Sequence, residues 1–87
     1  MFIHYTKEEK AEVERRKLSL KSGMRIKCVE MLNDPRPIEP GTTGTVDHVD
    51  DGGQIHVRWD NGRGLALAIE DKYEVIGENK WYTDMHE

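Results

Sequence analysis

The side chains that could carry chemistry in this 87-residue chain are four histidines, one cysteine and a group of aspartates. A zinc site needs four cysteine, histidine or carboxylate ligands at characteristic spacings. His48 and His56 could meet across a hairpin, and Asp47 and Asp50 are the nearest further ligands in the sequence. The single Cys28 cannot build a thiolate site. The sequence therefore predicts neither a metal centre nor a bound cofactor.

A nucleophile beside a base is not visible either. Cys28 alternates with Met24 and Ile26, which predicts a small buried hydrophobic side chain rather than a reactive thiol. Asp50 and Asp60 lie at predicted turns, where aspartate is favoured because it accepts hydrogen bonds from nearby backbone amides. The glycines follow no strand-to-helix step, so they form no phosphate-binding loop. We therefore expect a protein that is not an enzyme.

Charge is unevenly divided along the chain, although the net charge is only -4. Residues 1–32 hold eight Lys or Arg and five Asp or Glu, whereas residues 33–87 hold five and twelve. The balances are thus +3 and -7, which sum to the net -4. A dedicated nucleic-acid-binding domain usually has a basic surface overall, so the basic front part is only an alternative site for nucleic acid. This basic strip consists of Arg15, Arg16, Lys17, Lys21, Arg25 and Lys27.

The length of 87 residues and the mean hydropathy of -0.80 fit one small soluble domain with polar appendages. One cysteine allows no internal disulfide, which suits a reducing compartment. The sequence contains no apolar stretch long enough for a signal peptide or a membrane span. We therefore expect a cytoplasmic protein without membrane contact.

The first element is predicted to be a helix over residues 7–18. Thr6 and Glu9 form a capping-box pattern, in which each side chain bonds the backbone amide of the other residue. Glu12 with Arg16, and Glu14 with Lys17, are spaced for ion pairs on the helix. Few apolar residues lie on this helix, so its buried stripe is thin and it needs contacts from the body or from a partner.

Alternating apolar residues predict five short strands in residues 23–76. In the clearest of them, Ile55, Val57 and Trp59 face inwards. The alternation of the first strand slips after Cys28, which predicts a β-bulge or a sharp bend at residues 28–30. Inward alternation makes Trp59 a core or rim residue; if it is partly exposed, it could instead form the floor of a peptide groove.

The connections complete the predicted fold. A proline-containing loop at residues 35–40 follows the first strand, and glycine turns at 50–53 and 60–62 join the next three strands. One helical turn at 68–72 precedes the last strand. This order is typical of a mainly β, five-stranded SH3-like barrel. A five-stranded OB barrel is the alternative, but the turn at 60–62 leaves no room for the helix that it normally contains.

The chain thus divides into an N-terminal helical extension at 1–22, an SH3-like barrel at 23–76 and a short polar C-terminal tail at 77–87. Trp81 and Tyr82 are adjacent aromatic residues in this tail. They either fold back over an open edge of the barrel or recognise a partner, which could be a second copy of the chain.

Four segments of the barrel carry a family resemblance: residues 23–26, 40–46, 55–62 and 73–76. They resemble a family of small uncharacterised bacterial and phage domains described only as a domain of unknown function. Residues 57–62 are also similar to the SH3-like barrel of Mind bomb-type ubiquitin ligases, which binds peptide segments. Both resemblances imply an SH3-like fold, and neither implies a catalytic residue. The acidic-aromatic motif by which eukaryotic SH3 domains bind proline peptides is absent from the sequence.

These features favour a non-catalytic SH3-like adaptor or accessory protein of a phage or mobile element. Its partner would be another protein, including a second copy of itself. One alternative is nucleic-acid contact through the basic strip. Another is an acidic inhibitor, whose negative second half would mimic a nucleic acid and block a host defence enzyme. The residues predicted to bind protein are Trp59, Arg58, Asp60, Arg36, Trp81 and Tyr82.

Overall fold

The computed structural model describes residues 5–77, which form one helix and one antiparallel sheet. In chain order the elements are the helix α1 (Lys7–Ser19) and the strands β1 (Arg25–Glu30), β2 (Thr43–Val49), β3 (Ile55–Trp59) and β4 (Lys72–Gly77). The strands lie in the order β3-β2-β1-β4. The predicted mainly β class with an N-terminal helix is therefore confirmed.

Over residues 5–77 the sheet has four strands rather than the five predicted, and these strands do not close into a barrel. The predicted fourth strand is reduced to a single bridge between Leu67 and Ile55. The turn after Trp59 forms as predicted, with the Trp59 amide donating to the Arg63 carbonyl at 3.0 Å. The indole Nε1 of Trp59 then donates to the Leu65 carbonyl at 2.7 Å. The segment after the turn is thus held by a side-chain hydrogen bond at Leu65 and by backbone pairing with β3 at Leu67.

The capping box at the start of α1 is confirmed. The Thr6 hydroxyl accepts a hydrogen bond from the Glu9 amide at 3.1 Å, and the Thr6 amide donates to the Glu9 carboxylate at 2.8 Å. The thin apolar stripe is thinner than predicted, since Val13 and Leu20 are buried but Leu18 is 74% exposed. The helix must therefore be held on the sheet by something besides apolar contact.

Arg16 provides that attachment. Its side chain is 1% exposed, and its Nε donates to Glu12 at 2.8 Å, which confirms the predicted ion pair. Its two terminal nitrogens donate to four backbone carbonyls at 2.8 to 3.2 Å. The guanidinium carbon also lies 5.2 Å from the ring centroid of Tyr73. The four acceptors are the carbonyl oxygens of Gly53, Ala68, Ile69 and Asp71.

The core lies on one face of the sheet and contains the side chains predicted to point inwards. Ile55, Val57 and Trp59 are at most 3% exposed, so the central strand prediction is confirmed. Cys28 is fully buried as predicted, and burial raises the pKa of its thiol. The predicted bulge is also present, because the β1–β4 register shifts between Cys28 and Glu30.

Candidate functional site

Among residues 5–77, the residues predicted to bind protein are not all on the surface. Trp59 is 3% exposed, so the interpretation of its ring as the floor of a peptide groove is wrong, whereas its interpretation as a core residue is confirmed. Arg58 on β3 and Arg36 in the proline-containing loop are both exposed. Trp81 and Tyr82 lie outside the residues that the structure describes.

Asp60 belongs to an ion-pair cluster on the outer face of the sheet. Both terminal nitrogens of Arg25 reach its carboxylate, at 2.9 and 2.6 Å, and the Thr43 hydroxyl donates to it at 2.5 Å. The hydrogen bonds from Arg25 and Thr43 hold the pKa of Asp60 far below its usual range. The carboxylate is thus an internal partner of Arg25, which leaves it less available to a ligand.

Most basic side chains of the basic strip form ion pairs with acidic side chains of the same protein. Arg16 is buried, so its assignment to an exposed nucleic-acid surface is wrong. Burial opposes ionisation of Glu12, but the hydrogen bonds from Arg15 and Arg16 outweigh this effect and lower the pKa of Glu12. Only Lys21 of the strip is exposed without an acidic partner among the described residues. The remaining pairs are Arg15–Glu12, Lys17–Asp51, Arg25–Asp60 and Lys27–Glu74. Lys17 was predicted to pair with Glu14 and pairs with Asp51 instead.

The two histidines predicted to meet across a hairpin do so. The rings of His48 and His56 stack with centroids 4.3 Å apart and an interplanar angle of 7°. Each ring contacts its own carboxylate, His48 that of Asp47 at 3.0 Å and His56 that of Asp50 at 2.9 Å. Within residues 5–77, no group of three or more potential ligands is arranged to hold a metal ion.

Acid is expected to remove the contribution of Asp50 to stability. Burial opposes ionisation of Asp50, but hydrogen bonds from His56 and from the amides of Gln54 and Gly52 outweigh it, so its pKa is lowered. A carboxylate with a lowered pKa stabilises the fold above the ordinary value of about 3.9 and loses that effect as the pH falls through the folded-state value. Urea unfolding of the Asp50→Ala variant should show a loss of about 1–2 kcal/mol near neutral pH.

That loss should shrink steadily in parallel measurements made below the ordinary aspartate pKa, because the wild type then also lacks the charge. Asp51→Ala is the matched control, since the Asp51 side chain in the same turn is fully exposed. A difference between the wild type and Asp50→Ala that stays constant down to strong acid would contradict the assignment.

Within the described residues 5–77, one edge of the sheet is open. The Cys28 amide donates to the Thr42 carbonyl at 2.8 Å, and the Cys28 carbonyl accepts from the Gly41 amide at 2.7 Å, so the backbone of Cys28 points away from β4. Antiparallel pairing alternates, and therefore Tyr73, which is opposite Cys28, points its backbone away from β1. By the same alternation, Val75, which is opposite Ile26, also points its backbone away from β1. No other strand among residues 5–77 pairs with this side of β4.

We call residues 73–75 the β4 edge. Its free hydrogen-bonding groups are the outward backbone amides and carbonyls of Tyr73 and Val75. Register shifts on both sides confine regular pairing with β1 to these three residues. Val75 lies on the core face opposite Ile26 but is 48% exposed, because no further strand covers it. It lines an open groove together with Tyr73, Val29 and Glu12 of α1.

Ion pairs flank the β4 edge on the outer face. Lys27 of β1 lies 3.2 Å from the Glu74 carboxylate, and Lys72 lies 4.0 Å from that of Glu30. Charged side chains are a common way to keep an open edge from aggregating, so the β4 edge fits a simple solvated end of the sheet as well as a binding site. The sequence did not reveal this edge, because the residues of β4 resemble those of any short strand.

Comparisons with known proteins identify a family for this chain, but that family has no assigned function. Residues 9–76 match a family model described as "Domain of unknown function (DUF4314)". No curated protein and no solved structure matches the chain. The match begins inside α1, whereas the sequence resemblance was expected to start at residue 23. It therefore includes Val13 and Arg16, which join the helix to the sheet. In the part of the chain that the structure describes, no helix has the length and apolar character to cross a membrane.

Proposed function

The chain belongs to the DUF4314 family of domains of unknown function, and from its own surface we propose that it is a non-catalytic protein-binding module. It binds by adding an extended segment of another protein to the β4 edge, a recognition mode that sheets with open edges use repeatedly. One observation carries this proposal: the backbones of Tyr73 and Val75 face outwards beside a half-exposed apolar side chain.

The chemistry of the β4 edge suits strand addition. Two outward-facing residues offer two donors and two acceptors to an incoming backbone. The partner side chains nearest to Val75 would enter the groove beside Val29 and Glu12, where they would remove apolar surface from water. Backbone bonds supply affinity in this mode, and the groove supplies specificity.

Two finer expectations are part of the same proposal. The first is an SH3-like arrangement, in which residues 65–67 take the place of the predicted fourth strand. It is supported by the two backbone hydrogen bonds, both 2.9 Å, between Leu67 and Ile55. The second is service to a phage or mobile element, which is supported only by the sequence resemblance. Genes neighbouring the coding sequence would test the second expectation.

Nucleic-acid binding is the weaker candidate, because the exposed basic strip lacks Arg16 and its other members, Lys21 excepted, already have acidic partners. An acidic inhibitor is also weaker, since the carboxylates of Asp50 and Asp60 make hydrogen bonds within the protein. Neither candidate accounts for the half-exposed apolar residues of β4.

Affinity capture from native extract with matched baits tests the proposed function. Val75→Lys places a charge on the β4 edge and should abolish capture, because the ammonium group would have to be desolvated in the groove. Leu18→Lys makes the same change at an exposed leucine of α1 and should capture as the wild type does. A third bait, Arg36→Ala with Arg58→Ala, reports on the other predicted binding residues.

The expected result is a protein recovered by the wild type and by Leu18→Lys and lost with Val75→Lys. Unfolding curves of each bait establish that it is folded. Recovery that is indifferent to Val75→Lys, or that fails only with the double arginine variant, would place binding elsewhere and refute the assignment to the β4 edge.

A further inference from the structure

The β4 edge is too short to pair in many registers. Only Tyr73 and Val75 point their backbones outwards, and bulges interrupt the pairing of β4 with β1 on either side of them. An added strand that uses all four outward groups must therefore place one of its residues directly opposite Glu74. That residue and Glu74 lie on the outer face of the sheet, with the backbone-bonded pairs before and after them.

A second copy of the chain fits this geometry poorly. Antiparallel pairing of two β4 edges would place Tyr73 opposite the Val75 of the other copy, and Glu74 opposite its counterpart. Directly opposed residues have Cβ atoms about 4.5–5.5 Å apart, and like charges at that position are destabilising. Lys27 already contacts Glu74 within the sheet, but one lysine on each side leaves two carboxylates facing each other.

A segment of a different protein avoids this repulsion, and a basic residue in it would be attracted to Glu74. A lysine or arginine opposite Glu74 would form a cross-strand ion pair on the outer face, while its two neighbours point to the opposite face. That opposite face carries Tyr73 and the half-exposed Val75. Side chains that match it are apolar and β-branched, because such residues pack best on a pleated, half-buried surface.

We propose that the partner of the β4 edge is an extended segment of another protein with the pattern apolar, basic, apolar, whose basic residue lies opposite Glu74. The proposal rests on the proposed function and names the chemistry of the ligand. Glu74 selects the partner and also opposes pairing of the chain with itself.

Two synthetic peptides test this selection. Both are acetylated and amidated; one is Thr-Thr-Val-Lys-Val-Thr-Thr and the other has glutamate in place of lysine. The pattern is symmetric, so either strand direction presents the central residue to Glu74. Amide chemical shifts of Tyr73 and Val75 are followed during titration into the full chain. The lysine peptide should bind about three- to tenfold more tightly than the glutamate peptide.

Charge reversal on the protein provides the control. Glu74→Lys should invert the preference, whereas Glu39→Lys, which changes the same charge at an exposed loop residue, should leave it intact. Equal affinities for the two peptides, or a preference that Glu74→Lys does not alter, would overturn the selection by Glu74 and leave the proposed function standing. If neither peptide shifts Tyr73 or Val75, strand addition itself fails. Sedimentation of the wild type as a dimer would also overturn the proposal, because Glu74 is inferred to prevent self-pairing.

Discussion

Replacing Arg16 with alanine should lower the free energy of unfolding by about 3–5 kcal/mol, the range typical of removing one member of a buried charged network. The side chain is 1% exposed, and its hydrogen-bond donors satisfy four carbonyl oxygens that contribute to the attachment of α1. Alanine would leave those oxygens without this donor. Glu12 would then pair with the exposed Arg15 and no longer with the buried Arg16. Each unsatisfied buried group costs about 1–3 kcal/mol, so the losses accumulate.

Chemical denaturation followed by circular dichroism measures this loss. Arg15→Ala is the matched control, because Arg15 also pairs with Glu12 but its side chain is 68% exposed, and exposed pairs contribute about 0–1 kcal/mol. Small domains are marginally stable, so a loss of this size is enough to unfold the alanine variant. Arg16→Lys then supplies the measurement, since lysine keeps the charge but cannot reach four carbonyls at once. Equal losses for the Arg16 and Arg15 variants would contradict the role given to Arg16.

Gly53→Ala is expected to cost about 2–4 kcal/mol, the sum of backbone strain and overpacking. Gly53 has a φ of +82°, which side-chain-bearing residues rarely adopt. A Cβ atom built there would lie 2.7 Å from Cγ2 of Val13 and 3.2 Å from Cδ1 of Ile69. The helix would have to move away, and that movement would also stretch the bond between Arg16 and the Gly53 carbonyl.

Gly62→Ala separates the two contributions. Gly62 has a φ of +90° but nothing lies within 4 Å of a Cβ built there, so alanine should cost only the backbone strain of about 1–2 kcal/mol. Thermal unfolding of both variants gives the comparison. Adding Val13→Ala should recover part of the loss in Gly53→Ala, because it removes the clashing methyl groups. Equal destabilisation by Gly53→Ala and Gly62→Ala would mean that α1 does not pack tightly against this turn.

Local patterns could be predicted from the sequence because they depend on neighbouring residues. The capping box of Thr6 and Glu9 and the bulge after Cys28 were both predicted and are both present. Ile38 was missed as a core residue, because a proline-containing loop gives no periodic signal, yet its side chain is 1% exposed. Arg16 was assigned to an exposed basic strip, since a run of basic residues on a helix does not reveal which member meets a set of free carbonyls.

The candidate site was the least predictable part. Trp59 was considered for a binding surface because tryptophan is common in such surfaces, but the alternation of its own strand already favoured the core. Val75 lies opposite the buried Ile26 of β1. It is half-exposed because β4 is the last strand of the sheet, which is a property of strand order and not of the residues in the strand.

The sequence alone determined where the chain turns, where α1 begins and which face of β3 is apolar, because backbone preferences and side-chain alternation act over a few residues. Only the tertiary structure decided that Arg16 is buried, that the expected fourth strand contributes one bridge, and that the β4 edge is open. Each of those outcomes depends on groups distant in the chain meeting in space, such as the guanidinium of residue 16 and the carbonyl of residue 71. The spacing of residues along a chain does not predict such long-range contacts.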